Sequence, residues 1–108
     1  MNFDLKNIFD KLRNVQSEFE KIKSELAHKT ITSESGGGMI TVEMNGIHKL
    51  RKIKISPELL NTNDIQMIED LIVAAVNKAY EKVDDMNKDE LSKLQNFIPN
   101  IPGMNFNL

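Results

Sequence analysis

Residues 34–60 read ESGGGMITVEMNGIHKLRKIKISPELL: three glycines, an alternating run, an Asn-Gly pair, a basic run and a Ser-Pro helix start. Ile40, Val42 and Met44 recur every second position with Thr41 and Glu43 between them. That spacing predicts a strand with one buried and one wet face. Asn45-Gly46 separates this strand from a second strand-like run, Ile47–Ile55. Asn and Gly tolerate the positive φ that a type I′ turn demands, so the pair predicts a tight β-hairpin. The second strand carries His48, Lys49, Arg51, Lys52 and Lys54, which makes it the expected working surface.

Outward from the hairpin, Thr30–Glu34 has β propensity and predicts one further strand before the glycines. Upstream, Leu5, Ile8, Leu12, Val15, Phe19, Ile22 and Leu26 follow alternating steps of three and four. This is a heptad seam over a helix spanning 4–27. About 24 residues at 1.5 Å each give roughly 36 Å, more than a three-stranded sheet covers. The seam is therefore expected to project as an arm and to meet the last helix or a second subunit. Downstream, a helix is expected over 64–94, with Asn63 as its N-cap and Asp64 in its first turn. Its apolar face is Ile68, Leu71, Ile72, Ala75, Ala79 and Val83, with Ala75 and Ala79 small enough to allow close packing. The fold class is thus α+β: long helix, three-stranded antiparallel sheet, long helix, in a single domain over 1–96. Residues 97–108 hold two prolines, one glycine and no charged side chain, and are expected to form a flexible tail. Phe97, Ile98, Ile101, Met104 and Phe106 give that tail an apolar character.

Charge is segregated along the chain. The 108 residues sum to −2, yet residues 29–57 carry +3, residues 58–108 carry −5 and residues 1–28 balance. A basic sheet between neutral and acidic helices attracts an anionic polymer locally, while the acidic total weakens long-range attraction. The chain has no cysteine, which excludes disulfides and thiolate metal sites. It has no segment with the length and apolarity of a membrane span and no apolar signal region near its start. A soluble cytoplasmic protein follows as the expectation.

Four segments in their order, SESGGGMITVEMNG (33–46), KISPELL (54–60), IEDLIVAAVNKAYEK (68–82) and PGM (102–104), resemble the YbaB/EbfC family of bacterial nucleoid-associated proteins. The resemblance runs over nearly the whole chain. It implies a homodimer shaped like tweezers, with helical arms projecting from a β body. It also implies binding of double-stranded DNA with little sequence preference, a place in the nucleoid, and an influence on nucleoid organisation and gene expression.

The residues can be tested against that function. Non-specific DNA binding needs exposed Lys and Arg that neutralise phosphates and release counterions. Lys49, Arg51, Lys52 and Lys54 supply them, with His48 as a further contact that strengthens below about pH 6.5. Strict alternation puts Lys49 and Arg51 on one face and Lys52 and Lys54 on the other. All four then reach one DNA surface only if the strand twists or lies at an edge. Lysines on an edge strand also serve to block aggregation, so the two readings stand side by side. The seam residues Leu5 to Leu26 are candidates for dimer or arm packing.

Enzymatic chemistry finds no support. His28 and His48 lack an HExxH context, no phosphate-loop motif occurs, and Ser35 precedes glycines outside any GxSxG elbow. Asp84 and Asp85 are adjacent and diverge by about 100° on a helix. No catalytic residue, cofactor, metal or small-molecule substrate is expected. The alternative to DNA binding is a protein-interaction module that uses the heptad helix and the apolar tail.

Overall fold

A computed structural model describes residues 4–93. The elements in order are α1 (Leu5–His28), β1 (Thr30–Ser35), β2 (Ile40–Asn45), β3 (Leu50–Ile55), the one-turn α2 (Pro57–Leu60) and α3 (Ile65–Ser92). This is the expected α+β order. Leu94, the expected end of the last helix, and the expected tail 97–108 lie outside the described residues.

The sheet is antiparallel in the order β1-β2-β3. Alternation along β2 turns Ile40, Val42 and Met44 inward, and all three are fully or almost fully buried. α3 lies over β1 and β2, with Ala75, Ala79 and Val83 completely buried against them. The two alanines have no bulk beyond Cβ, so the helix axis sits close to the sheet; Leu59 of α2 closes one end of this core. Each buried Ile, Val or Met contributes about 1.5–3 kcal/mol of transfer free energy, which is what holds α3 down.

The β1–β2 turn uses Gly36, Gly37 and Gly38, all at positive φ (61°, 65° and 90°), a backbone region closed to most side chains. Beside it, the Ser35 hydroxyl donates to the Leu71 carbonyl at 2.6 Å and fixes α3 to this end of the sheet. Ser35 is thus a structural anchor.

Two local expectations are corrected. The β2–β3 connection is not a type I′ turn: Asn45 and Gly46 keep negative φ, and His48 takes the left-handed conformation at φ 62°. The His48 N–H donates to the Asn45 carbonyl at 3.0 Å and the Asn45 N–H to that of Lys49 at 2.9 Å. This is a three-residue loop, a type I turn followed by one αL residue. The Asn45 carboxamide holds it, accepting from the N–H groups of Ile47 and Lys49 at 3.1 and 3.0 Å. Gly46 is required for another reason. Its N–H donates to the carbonyls of Leu26 and Lys29 at 2.9 and 3.0 Å, and a Cβ there would stand 2.5 Å from the Leu26 oxygen. At α3, Asp64 rather than Asn63 is the N-cap, accepting from the Met67 N–H at 3.0 Å. Asn63 instead takes a left-handed φ of 56° that turns the chain out of α2.

α1 and α3 share one end of the sheet. Thr30, which follows α1, pairs with Asn45 at the hairpin end, and α3 reaches that end where Asp84 meets His48. One helix arrives there as the other leaves, so their projecting parts run antiparallel. Ile22 and Leu26 are buried at this crossing against Met86 and Leu91.

Candidate nucleic-acid interface

The basic strand β3 is an edge of the sheet. Its partners set the direction of each side chain, because residues opposite one another on neighbouring strands share a face. Ile55 and Ile53 lie opposite the inward Ile40 and Val42, while Lys54 and Lys52 lie opposite the outward Thr41 and Glu43. The register then slips: Met44 faces Leu50, leaving Arg51 as an extra residue between the paired Leu50 and Lys52. This is a β-bulge, which breaks strict alternation. Leu50 points inward with Met44, Arg51 points outward, and Lys52 also points outward with Glu43. Lys49 stands opposite Asn45 on the same outer face.

The bulge therefore corrects the expected two-and-two division. Lys49, Arg51, Lys52 and Lys54 all project from the face of the sheet opposite α3, and all four are exposed. Among the described residues none of them lies within 4.0 Å of a carboxylate oxygen. Glu43 is the one acid paired directly across from this row, opposite Lys52; Thr41, Thr30 and Thr32 supply neutral hydroxyls beside it. Toward the hairpin the face dips into a depression of about 480 Å³ lined by residues that include His28, Thr30, Glu43, Asn45, Lys49 and Arg51.

His48 stands apart from the four cations. Its Nε2 lies 2.8 Å from Asp84 Oδ1, and its ring packs on Tyr80 with centroids 4.1 Å apart and planes tilted by 35°. The αL backbone at His48 turns the side chain toward α3, across the sheet edge from the basic row. Nothing in the sequence around His48 signals a partner 36 residues away.

The seam of α1 divides in two. Ile22 and Leu26 are buried, Ile8 and Val15 are half-buried, and Leu5, Leu12 and Phe19 are exposed, Leu5 by 59%. A second apolar surface went unnoticed in the sequence. α3 does not cover β3, so the inward Leu50 and Ile53 remain 40% and 41% exposed. Val73 and Tyr80, one heptad apart on the flank of α3 that carries the His48 contact, are 57% and 49% exposed. Together they form an open apolar trough on the α3 side of the β3 edge.

Among the described residues no cluster of His, Asp and Glu is placed to hold a metal ion, and no helix is long and apolar enough to cross a membrane.

Known proteins resemble this chain over nearly its whole length. Residues 1–97 match the family model described as the YbaB/EbfC DNA-binding family. A nucleoid-associated protein of Acetivibrio thermocellus is 36% identical over 101 residues, covering 94% of this chain and 89% of that protein. A nucleoid-associated protein of Legionella pneumophila is 38% identical over 94 residues, covering 87% and 83%. The crystal structure of an uncharacterized protein from Helicobacter pylori superposes with a TM-score of 0.78 at 26% identity, over 87% of this chain and 99% of that one.

Proposed function

The chain belongs to the YbaB/EbfC DNA-binding family, and from that premise we propose that it binds duplex DNA in the nucleoid through the outer face of β3, mainly by phosphate contacts with little sequence preference. The observation that carries this reading is the bulge at Arg51, which gathers onto one exposed face four cations that have no carboxylate partner among the described residues. Such a row neutralises phosphates and releases counterions, a favourable term that is indifferent to base sequence. Thr and Glu neighbours on this face add no aromatic platform on which unpaired bases would stack. In the cell such binding acts on nucleoid organisation and, through it, on gene expression.

The protein acts as a homodimer in this proposal. The trough of Leu50, Ile53, Val73 and Tyr80 is the apolar surface a second copy covers, and a dimer doubles the row to eight cations. A slope of log K against log salt between about −3 and −7 is then expected, the upper limit being eight phosphate contacts at about 0.9 each.

Fluorescence anisotropy with a mixed-sequence duplex, titrated at several salt concentrations, tests the reading. Replacing Lys49, Arg51, Lys52 and Lys54 together by Ala should abolish binding and leave the solution mass unchanged. Unchanged affinity would remove β3 as the surface, and no binding of the wild type at low salt would remove DNA as the ligand. Ile53→Glu should halve the solution mass; a mass equal to that of the wild type would remove the trough as the dimer seat.

A further inference from the structure

The chain's two histidines both stand near the basic row, and the fold gives them different surroundings. His48, expected from the sequence to meet DNA, is turned to Asp84 and Tyr80 on the α3 side of the sheet edge. His28, the last residue of α1, is exposed and lines the depression on the outer face together with Lys49 and Arg51. One side chain fixes that neighbourhood. The Asn45 carboxamide accepts from the Lys49 N–H at 3.0 Å and donates to the Ala27 carbonyl at 3.2 Å, which ties the start of the basic row to the residue before His28.

The bonding of the His28 ring decides what its other nitrogen offers. Nδ1 lies 2.8 Å from the Ser24 carbonyl oxygen, one turn back on α1. A carbonyl oxygen only accepts, so Nδ1 carries a hydrogen in the neutral and the charged ring alike. In the neutral ring Nε2 then presents a lone pair and has no hydrogen to give a phosphate oxygen. In the imidazolium Nε2 becomes a charged donor, the kind that makes the stronger bonds to phosphate. Among the described residues no carboxylate oxygen lies within 4.0 Å of the ring to claim that proton.

The charged groups lining the depression with His28 are Glu43 of β2 and Lys49 and Arg51 of β3, while β1 contributes Thr30. Glu25 stands three residues back on α1. On α3, Glu90 is held by Lys29 and Lys93, and Asp84 by His48. Carboxylate, ammonium and guanidinium side chains ordinarily keep their charge between pH 6 and 8, the range in which imidazole changes.

We infer that His28 is a pH-dependent fifth cation of each protomer's DNA surface, its Nε2 donating to a phosphate oxygen when the ring is protonated and making no such bond when it is neutral. The inference rests on the proposed use of the β3 outer face for DNA. Affinity for duplex then rises as pH falls from 8 to 6, with no change of fold or of sequence preference.

The test is fluorescence anisotropy of the full-length protein with a mixed-sequence duplex at pH 6 and pH 8 in about 0.1 M salt. One added phosphate contact is worth about eightfold at that salt. With the ring partly protonated, wild-type binding should tighten by about fivefold for each His28 engaged. The slope of log K against log salt should also be steeper at pH 6, by up to about 0.9 per His28. His28→Ala should abolish the gain, and His48→Gln should keep it. His28→Lys, whose charge is permanent, should bind at pH 8 more tightly than the wild type by about the same fivefold and gain little in acid. Comparison among variants cancels any other group that titrates. A gain of equal size in the wild type and His28→Ala would overturn the inference and leave β3 as the DNA surface, and so would loss of the gain in His48→Gln. A flat profile in His28→Ala without tightening in His28→Lys would mark a structural role for the ring and overturn it too. No binding of the wild type at either pH would remove the DNA reading itself, and this inference with it.

Discussion

β2 and β3 are paired neighbours with similar inward residues and opposite fates. Ile40 and Val42 of β2 are completely buried, whereas Ile53 of β3, directly opposite Val42, is 41% exposed. Composition does not separate them, since both strands put Ile on the inner face. The difference is α3, which lies over β1 and β2 and stops short of β3. Burial of an apolar residue is decided by what stands above it, and the half-sheet left open carries both the apolar trough and, on its other face, the basic row. The scaffold is the covered half; the surfaces available to other molecules belong to the uncovered half.

The sharpest way to break this comparison is to truncate both strands. Ile40→Ala should lower unfolding free energy by about 3 kcal/mol, the sum of lost transfer and an unfilled cavity. Ile53→Ala should cost under about 1 kcal/mol in the isolated protomer, because water already reaches the side chain. Urea denaturation at two protein concentrations checks both. In the proposed dimer the Ile53 loss should grow with concentration, and the Ile40 loss should be present in full at both. Equal losses at every concentration would show that β3 is as well covered as β2.

A smaller effect is expected where the covered half meets the arm. Gly46→Ala places a Cβ 2.5 Å from the Leu26 carbonyl oxygen and 2.8 Å from the Leu26 Cβ. Backbone cannot yield as a flexible side chain does, so the hairpin must back away from the end of α1. The cost is about 2 kcal/mol, and the thermal midpoint should fall accordingly. Because Gly46 has negative φ, strain in φ adds nothing, and Gly46→Ser should behave alike. A wild-type midpoint for both would mean the hairpin and α1 are not locked together.

Much of this was legible in the residues. The period-two run of β2 and the helical face ending in Ala75, Ala79 and Val83 fixed the core, because both sides of that contact carry a regular pattern. The seam of α1 was legible as a stripe, and its division at Phe19 was not, since it depends on where α3 ends. The basic row was recognised residue by residue, yet its assignment to faces was wrong: an extra residue in a strand leaves no compositional trace, and only pairing with Glu43 and Met44 exposes it. The Asn-Gly pair signalled a reversal correctly and its turn type wrongly, because Gly46 is held by contacts to Leu26 and Lys29 that are distant in sequence. The trough was invisible for the same reason that β2 and β3 differ.

What keeps α3 over β1 rather than β3 leads to the smallest effect. On the β1 side, Lys82 Nζ donates to the Thr32 carbonyl at 3.1 Å, and Lys29 Nζ bonds Glu90 Oε1 at 2.8 Å, with Lys93 on the second oxygen at 3.2 Å. The hydrogen bond from Lys29, then that from Lys93, holds the Glu90 carboxyl below the usual carboxylate range. The same hydrogen bond, with the Glu90 charge, raises the Lys29 ammonium above the usual lysine value. A depressed carboxylate stabilises the fold above its ordinary value of 4.5 and loses that contribution as pH falls through the lower folded value. A raised ammonium stabilises below its ordinary value of 10.5 and loses the contribution as pH rises through the higher one. The latch is whole between those limits. Both lysines are well exposed, so the contribution is small. The thermal midpoint of Glu90→Gln should lie slightly below that of the wild type, by a constant amount from about pH 6 to 9, and the gap should close in acid as the wild-type carboxyl takes up its proton. A gap that persists undiminished at a pH well below the ordinary carboxylate range would show that Glu90 holds α3 by packing rather than by charge.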